Sequence, residues 1–295
     1  MNRGIVYAAL AYAAWGLFPL YFRHLAEVDA FEIVLHRVAW SLVFLSLLLL
    51  VLRRWAWLAP LRRRPAVLGA FTVSALLLAA NWLTYVWAIT HGHILDASLG
   101  YYINPLVNVL LGTLVLRERP RPGQWAAVAL AAFGVLWLAA LGPNFPWIGL
   151  VIAFSFGLYG LMRKTAALGA LEGLTLETLL LSPLALATLG WLTWQGSGGF
   201  AHHDEATLAW LVGVGPLTSV PLLLFAAGAR RISLTTLGVL QYVSPTLQLL
   251  IGIWVFGEPL SGERLTGFVL IWIALALFSL EGWRHTRRRS IGVAR

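Results

Sequence analysis

Residues 98–116, SLGYYINPLVNVLLGTLVL, and residues 238–256, GVLQYVSPTLQLLIGIWVF, lie 140 positions apart and read as two versions of one segment. Tyr102-Ile103-Asn104-Pro105-Leu106 falls on Tyr242-Val243-Ser244-Pro245-Thr246, and Gly112 falls on Gly252. Carried outward without a gap, the same offset sets Glu118 on Glu258 and Glu32 on Glu172. A one-residue slip sets Gly16-Leu17-Phe18 on Gly157-Leu158-Tyr159. Each run is close to the ~20 mostly apolar residues that a membrane-crossing helix needs. Apolar sequence can match itself by chance, but an Asn/Ser-Pro step and a glutamate at one shared offset are harder to produce that way.

Composition agrees with a lipid solvent. Of 295 residues, 60% are hydrophobic and 11% are Asp, Glu, Lys or Arg, against about 25% charged in a soluble domain. That balance excludes an ordinary soluble enzyme, a disordered tail and a secreted disulfide scaffold. The absence of cysteine excludes a cysteine nucleophile, an iron–sulfur cluster and a thiolate zinc site. The net charge of +9 does not point to nucleic acid, because the arginines sit in short clusters between apolar runs, as in the cytoplasmic loops of a membrane protein.

Ten spans are expected, at 4–22, 33–52, 66–89, 94–116, 123–141, 146–162, 173–194, 207–228, 233–256 and 264–283, giving an all-α membrane protein. The breaks carry loop chemistry, as in Arg119-Pro120-Arg121-Pro122, Gly142-Pro143-Asn144 and Gly257-Glu258-Pro259. The first span lacks a small-residue cleavage site and is expected to stay on the chain. Of the 21 basic residues, all but Arg23, Arg37 and Arg264 lie at the termini or in the loops after spans two, four, six and eight. The positive-inside rule then puts both termini in the cytoplasm. Two halves of five spans follow: 1–142 and 143–284, with 285–295 a basic, loosely ordered cytoplasmic tail. Five is odd, so the second half enters from the opposite side, as an inverted repeat.

Inverted repeats bind solute near the midplane, where the halves meet. Polar residues inside spans are therefore the signal, since each is costly in hydrocarbon. Asn81, Tyr85, Tyr101, Asn104, Ser155, Tyr159, Gln241 and Tyr242 are the candidate substrate-binding residues. Gln241, Ser244 and Gln248 share one helical face, and Tyr101, Asn104 and Asn108 repeat it 140 residues earlier. Each residue alone also reads as helix–helix glue; the paired faces favour a cavity. Pro105 and Pro245 are expected to kink their helices.

Glu32 and His36 stand at i, i+4 spacing at the outer mouth, with Arg37 one step round, and His36 titrates near neutrality. The 140-residue shift carries Glu32 and Arg37 to Glu172 and Glu177, for which Arg163 and Lys164 are the nearest cations. These seven are the gating and proton-coupling candidates; the alternative is that they only anchor helix ends. His91-Gly92-His93 with Asp96 reads as a turn, and His202-His203-Asp204-Glu205 as a solvated loop; neither has metal-ligand spacing. No HExxH, GxSxG, P-loop or dinucleotide GxGxxG occurs, so no enzyme activity, metal or cofactor is expected.

Trp15-Gly16-Leu17-Phe18-Pro19-Leu20-Tyr21-Phe22, Glu32-Ile33 with His36-Arg37, Asn81-Trp82-Leu83, Ala97-Ser98-Leu99-Gly100-Tyr101-Tyr102-Ile103-Asn104-Pro105-Leu106, and Leu240-Gln241-Tyr242 with Pro245-Thr246 resemble the RarD proteins. These form part of the EamA group of the drug/metabolite transporter superfamily. The resemblance spans nearly the whole chain; Asp96 stands where the family would have Glu, with the charge kept. It implies a ten-helix permease of the bacterial inner membrane and no settled substrate. The expected function is alternating-access movement of a small organic solute, with the lipid bilayer as the other partner. A membrane receptor or accessory subunit without transport is the alternative.

Overall fold

The computed structural model describes residues 2–61, 63–91, 93–141, 145–200, 203–257 and 261–292. Asn144, His202, Glu258 and Pro259 lie outside the described residues, as do the side chains of Asp96 and Ser98. Among those described there are helices and no strand. The principal helices are α1 (Arg3–Gly16, resumed as Phe18–Phe22), α2 (Ala30–Val51), α3 (Pro65–Thr90), α4 (Ile94–Leu114), α5 (Pro122–Ala140), α6 (Trp147–Thr165), α7 (Ala170–Gln195), α8 (Glu205–Ala229), α9 (rods Leu234–Gln241 and Val243–Trp254) and α10 (Gly262–Gly292).

Eight segments are long and apolar enough to cross a membrane: all of these helices except α4 and α6 contribute one, and in α4 the apolar part is the shorter Leu99–Leu114. Helix ends follow local chemistry. Asn2, Asp29, Asp204 and Ser233 accept bonds from first-turn amides at the starts of α1, α2, α8 and α9. Gly196, at φ 68°, closes α7. The Thr207 hydroxyl and amide hold the Asp204 carboxyl below its ordinary range. The expectation of a loose tail at 285–295 is not met over its described part, because α10 continues without a break to Gly292.

The two prolines act differently. Helix α4 runs continuously through Pro105. Helix α9 breaks at Tyr242, one turn before Pro245, where the proline ring would meet the carbonyl four residues back.

The largest helix interfaces form a set that is closed when each helix is exchanged for the one five places along. The α4–α6 pair answers to α9–α1, α2–α8 to α7–α3, and α1–α8 to α6–α3. The pairs α2–α7, α4–α9 and α5–α10 answer to themselves. The outside is apolar: Leu136, Leu184 and Trp194 are exposed at 66%, 74% and 83%. The interior holds Tyr12, Phe225 and Tyr159 beside Asn81, Asn104, Asn108, Gln241 and the charged Glu32, Arg163 and Glu177. Apolar outside and polar inside is the arrangement that a bilayer imposes.

The repeated Gly112…Glu118 pair has a packing reason. A Cβ at Gly112 would lie 2.7 Å from a Glu118 carboxylate oxygen. The bare glycine lets Glu118 reach the start of α9. There it accepts from the Leu234 and Thr235 amides at 2.6 and 2.9 Å and from the Thr235 hydroxyl at 2.8 Å. Glu118→Ala should lower stability by about 1–2 kcal/mol, read as unfolding in mixed micelles, with Glu118→Gln recovering part of it. An unchanged transition would mean that Ser233 caps α9 unaided.

Candidate functional site

The site is a column of polar side chains threaded between apolar faces, and α2, α3, α4 and α6 supply most of it. At one end, Glu32 in the first turn of α2 accepts from the Gly199 amide at 2.6 Å and lies 2.9 Å from His203 Nε2. A Cβ at Gly198 would stand 2.7 Å from the same carboxylate, so that loop needs a glycine to approach. His36, fully buried, accepts from Trp40 Nε1 at Nδ1 over 3.2 Å. Its Nε2 is left 3.7 Å from Glu32 and is buried without a hydrogen bond among the described residues. The sequence reading of His203 as part of a solvated loop is corrected here, because its ring lies against Glu32 with 15% side-chain exposure. Its neighbour Asp204 does cap α8 at the surface.

One helical step from His36, Arg37 turns away from this group. Its guanidinium lies 4.2 Å from the Trp82 ring centre, and the phenol groups of Tyr85 and Tyr101 are its polar neighbours. Those two rings meet edge to face at 5.8 Å. The expected grouping of Arg37 with Glu32 and His36 is not formed: positions 32 and 36 share a face, and residue 37 is rotated ~100° from its neighbour.

Below this layer the amides join helices. Asn81 donates to the Ile152 carbonyl at 2.9 Å and to Ser155 Oγ at 3.0 Å. Asn104 donates to the Ala153 carbonyl at 2.6 Å. Asn108 donates to Asn104 at 3.0 Å and to Gln241 at 3.1 Å. Tyr242 donates to the Tyr102 carbonyl at 3.2 Å. In this conformation these candidates hold α3 and α4 to α6, and α4 to α9, which matches the glue reading of each alone. Tyr85 and Tyr101 are the two candidates whose hydroxyls bond to no described residue and stay half-buried.

A pocket with room for about one water molecule lies between α2, α3, α7 and α8. Val38 and Thr178 line it, as do Ser41 and Leu181, and Trp82 and Leu222. Each of these pairs is separated by the 140-residue repeat offset, so the pocket sits where equivalent faces meet. Glu177 also lines it, as does Ser219, whose buried hydroxyl has no hydrogen-bond partner. Sequence reasoning missed this pocket because most of its walls are apolar and give no polar signal.

At the other end, Glu177 and Arg163 form an ion pair at 3.5 Å with both side chains 1% exposed. Ser74 donates to Glu177 at 2.5 Å, and Tyr159 donates at 3.3 Å. Arg163 also donates to the carbonyls of Gly169 and Ala170 at 3.4 and 3.0 Å. Glu172 and Lys164 do not join this group. Glu172 lies 3.6 Å from Arg54, in the loop after α2. Lys164 donates to the carbonyls of Ala229 and Ile232 at the end of α8. His91 and His93 stack on Trp87, and among the described residues no group of three His, Cys, Asp or Glu side chains converges on a point.

Comparison with known proteins supplies the family. The model of the EamA-like transporter family matches residues 2–140. An uncharacterized transporter of Pseudomonas aeruginosa is 49% identical over 288 residues, covering 98% of this chain and 97% of that protein. The RarD protein of Escherichia coli is 40% identical over 289 residues, covering 98% of each. A protein crystal structure shares the fold, with a TM-score of 0.69 at 19% identity over 95% of this chain and 98% of the other.

Proposed function

The chain belongs to the EamA-like transporter family, among the RarD proteins, and from that premise we propose that it is an alternating-access permease for a small organic solute. In this reading ten helices span the bacterial inner membrane as two inverted five-helix repeats with both termini in the cytoplasm. The solute passes the central pocket between α2, α3, α7 and α8. The Glu32 cluster closes the outer mouth, and the Glu177–Arg163 cluster closes the inner one.

One observation carries the reading. Glu32, on α2, holds the loop that follows α7. Glu172, its equivalent on α7, holds Arg54 in the loop that follows α2. Two copies exchanging the same clasp at opposite ends is what an inverted pair of gates requires. The self-paired interfaces and the pocket lined by equivalent positions agree with it. The solute is polar in part and apolar in part, because aromatic walls and isolated hydroxyls line the path.

The chain has no cysteine, so single thiols report directly. Cysteine at Ser197 should react with an impermeant maleimide in intact cells, and cysteine at Arg63 or Arg231 only after permeabilisation. The pocket variant Ser219→Cys should react from either side in intact cells and inside-out vesicles. Adding Glu32→Gln should raise its outer labelling about tenfold, as expected for loss of charge-assisted bonds at one gate. Outer labelling at Arg231, or a Ser219→Cys thiol reached from one side only, would overturn the proposal.

A further inference from the structure

We propose that Arg37, with the hydroxyls of Tyr85 and Tyr101, forms the subsite that receives the carboxylate of the solute, so that the transported class is small organic acids or zwitterions with an apolar or aromatic body. The assignment rests on the permease reading, which places this subsite in the solute path.

The argument begins with an asymmetry between the repeats. Arg37 and Glu177 occupy equivalent positions, seven residues into α2 and α7, each ~11 Å along its helix from the mouth. Glu177 is fully provided for by Arg163, Ser74 and Tyr159. Arg37 is not. Among the described residues it forms no ion pair and donates no hydrogen bond, and its Nε is buried without a partner. Glu32, the nearest carboxylate on its own helix, is engaged by Gly199 and His203. Among the described side chains, those that face Arg37 are Trp82 and Tyr85 from α3 and Tyr101 from α4; the side chain of Asp96, also on α4, lies outside the described ones. None of the three is a carboxylate.

An arginine inside a span is costly, and such cations normally pair with an acidic group or with backbone carbonyls. The Trp82 face compensates part of the charge. It leaves the donor edge of the guanidinium unused. That edge is a planar fork that matches a carboxylate through two parallel bonds. Tyr85 and Tyr101 add two phenol donors with no described acceptor, within about one helical turn of the same depth: Tyr101 is seven residues into α4, and Tyr85 five residues from the end of α3. Three donor groups and three aromatic faces thus surround one site that lacks an acceptor among the described residues. A carboxylate on an aromatic or aliphatic body supplies both the acceptor and the apolar surface.

Equilibrium dialysis of labelled phenylacetate and its uncharged counterpart phenylacetamide, against the full chain in nanodiscs, tests the assignment. The wild type should bind the acid at least about tenfold more tightly than the amide. Arg37→Gln should abolish that preference, and Arg37→Lys should keep part of it. Tyr85→Phe and Tyr101→Phe remove only hydroxyls and should each weaken acid binding several-fold and amide binding less, since a charged acceptor gains more from each phenol. These two variants and the wild-type ratio carry the test if Arg37→Gln does not fold. Equal binding of acid and amide by the wild type, no binding of either, or a preference intact in Arg37→Gln would overturn it. Flux of the same pair into proteoliposomes separates the two proposals. Preferred binding of the acid without flux defeats the permease reading and leaves the subsite standing. Flux with no acid preference defeats the subsite alone.

Discussion

Arg163→Ala is expected to destabilise the protein by about 3–5 kcal/mol, because it strands a carboxylate in the interior. Glu177 is 1% exposed, and without Arg163 only the hydroxyls of Ser74 and Tyr159 remain to it. The reverse change, Glu177→Ala, should cost less. Arg163 would keep the carbonyls of Gly169 and Ala170 and the Phe71 ring, 5.5 Å from its guanidinium carbon. Replacing both residues with Met should be milder than Arg163→Ala, since no unpaired buried charge remains. Equilibrium unfolding in mixed micelles reads all three. A double variant that loses the sum of the two single losses would mean that the side chains act independently and that the pair is no clasp. Labelling of a Ser219→Cys thiol from the cytoplasmic side should rise in the Glu177→Ala background, which separates gating from folding.

Gly215→Ala should have a comparable effect for a steric reason. Helices α2 and α8 approach so closely there that a Cβ on Gly215 would lie 2.4 Å from the Trp40 carbonyl carbon and 2.6 Å from its oxygen. Those are backbone atoms and cannot rotate aside, so a helix must move. Overpacking costs about 1–3 kcal/mol where side chains can adjust; here the loss should lie at or above the top of that range. The shift would also disturb the Ser41 hydroxyl, which donates to the Gly215 carbonyl at 3.2 Å and lines the pocket between α2, α3, α7 and α8. Gly190→Ala is the matched control. Nothing stands within 4 Å of a Cβ there, and alanine is the better helix former by about 1 kcal/mol. Equal melting behaviour of the two variants would show that the α2–α8 contact is slack.

The sequence by itself located the principal helices, because long apolar runs bounded by loop chemistry read as helices; eight of the segments are long and apolar enough to cross a membrane. The starts and ends expected for the spans fall within three residues of the observed helices, apart from the far end of α10. It also determined the twofold pattern. Gly112 and Glu118 serve a backbone need at the start of α9. The offset of 140 then reappears in the symmetric helix interfaces and across the pocket between α2, α3, α7 and α8.

Only the tertiary structure decided which polar residues face each other. Asn81 and Asn104 carry the same signal as a ligand-binding amide, yet each meets a carbonyl of α6. That depends on helix rotation and depth, which periodicity leaves free. Charges behaved likewise. Glu177 found Arg163, whereas Glu172 reached across to Arg54 and Lys164 turned to the carbonyls ending α8. Arg37 stands five residues from Glu32 in the chain and on another face of α2, toward the aromatic rings of α3 and α4. Its pairing requires knowing what lies opposite, and sequence spacing along one helix contains no information about the neighbouring helix.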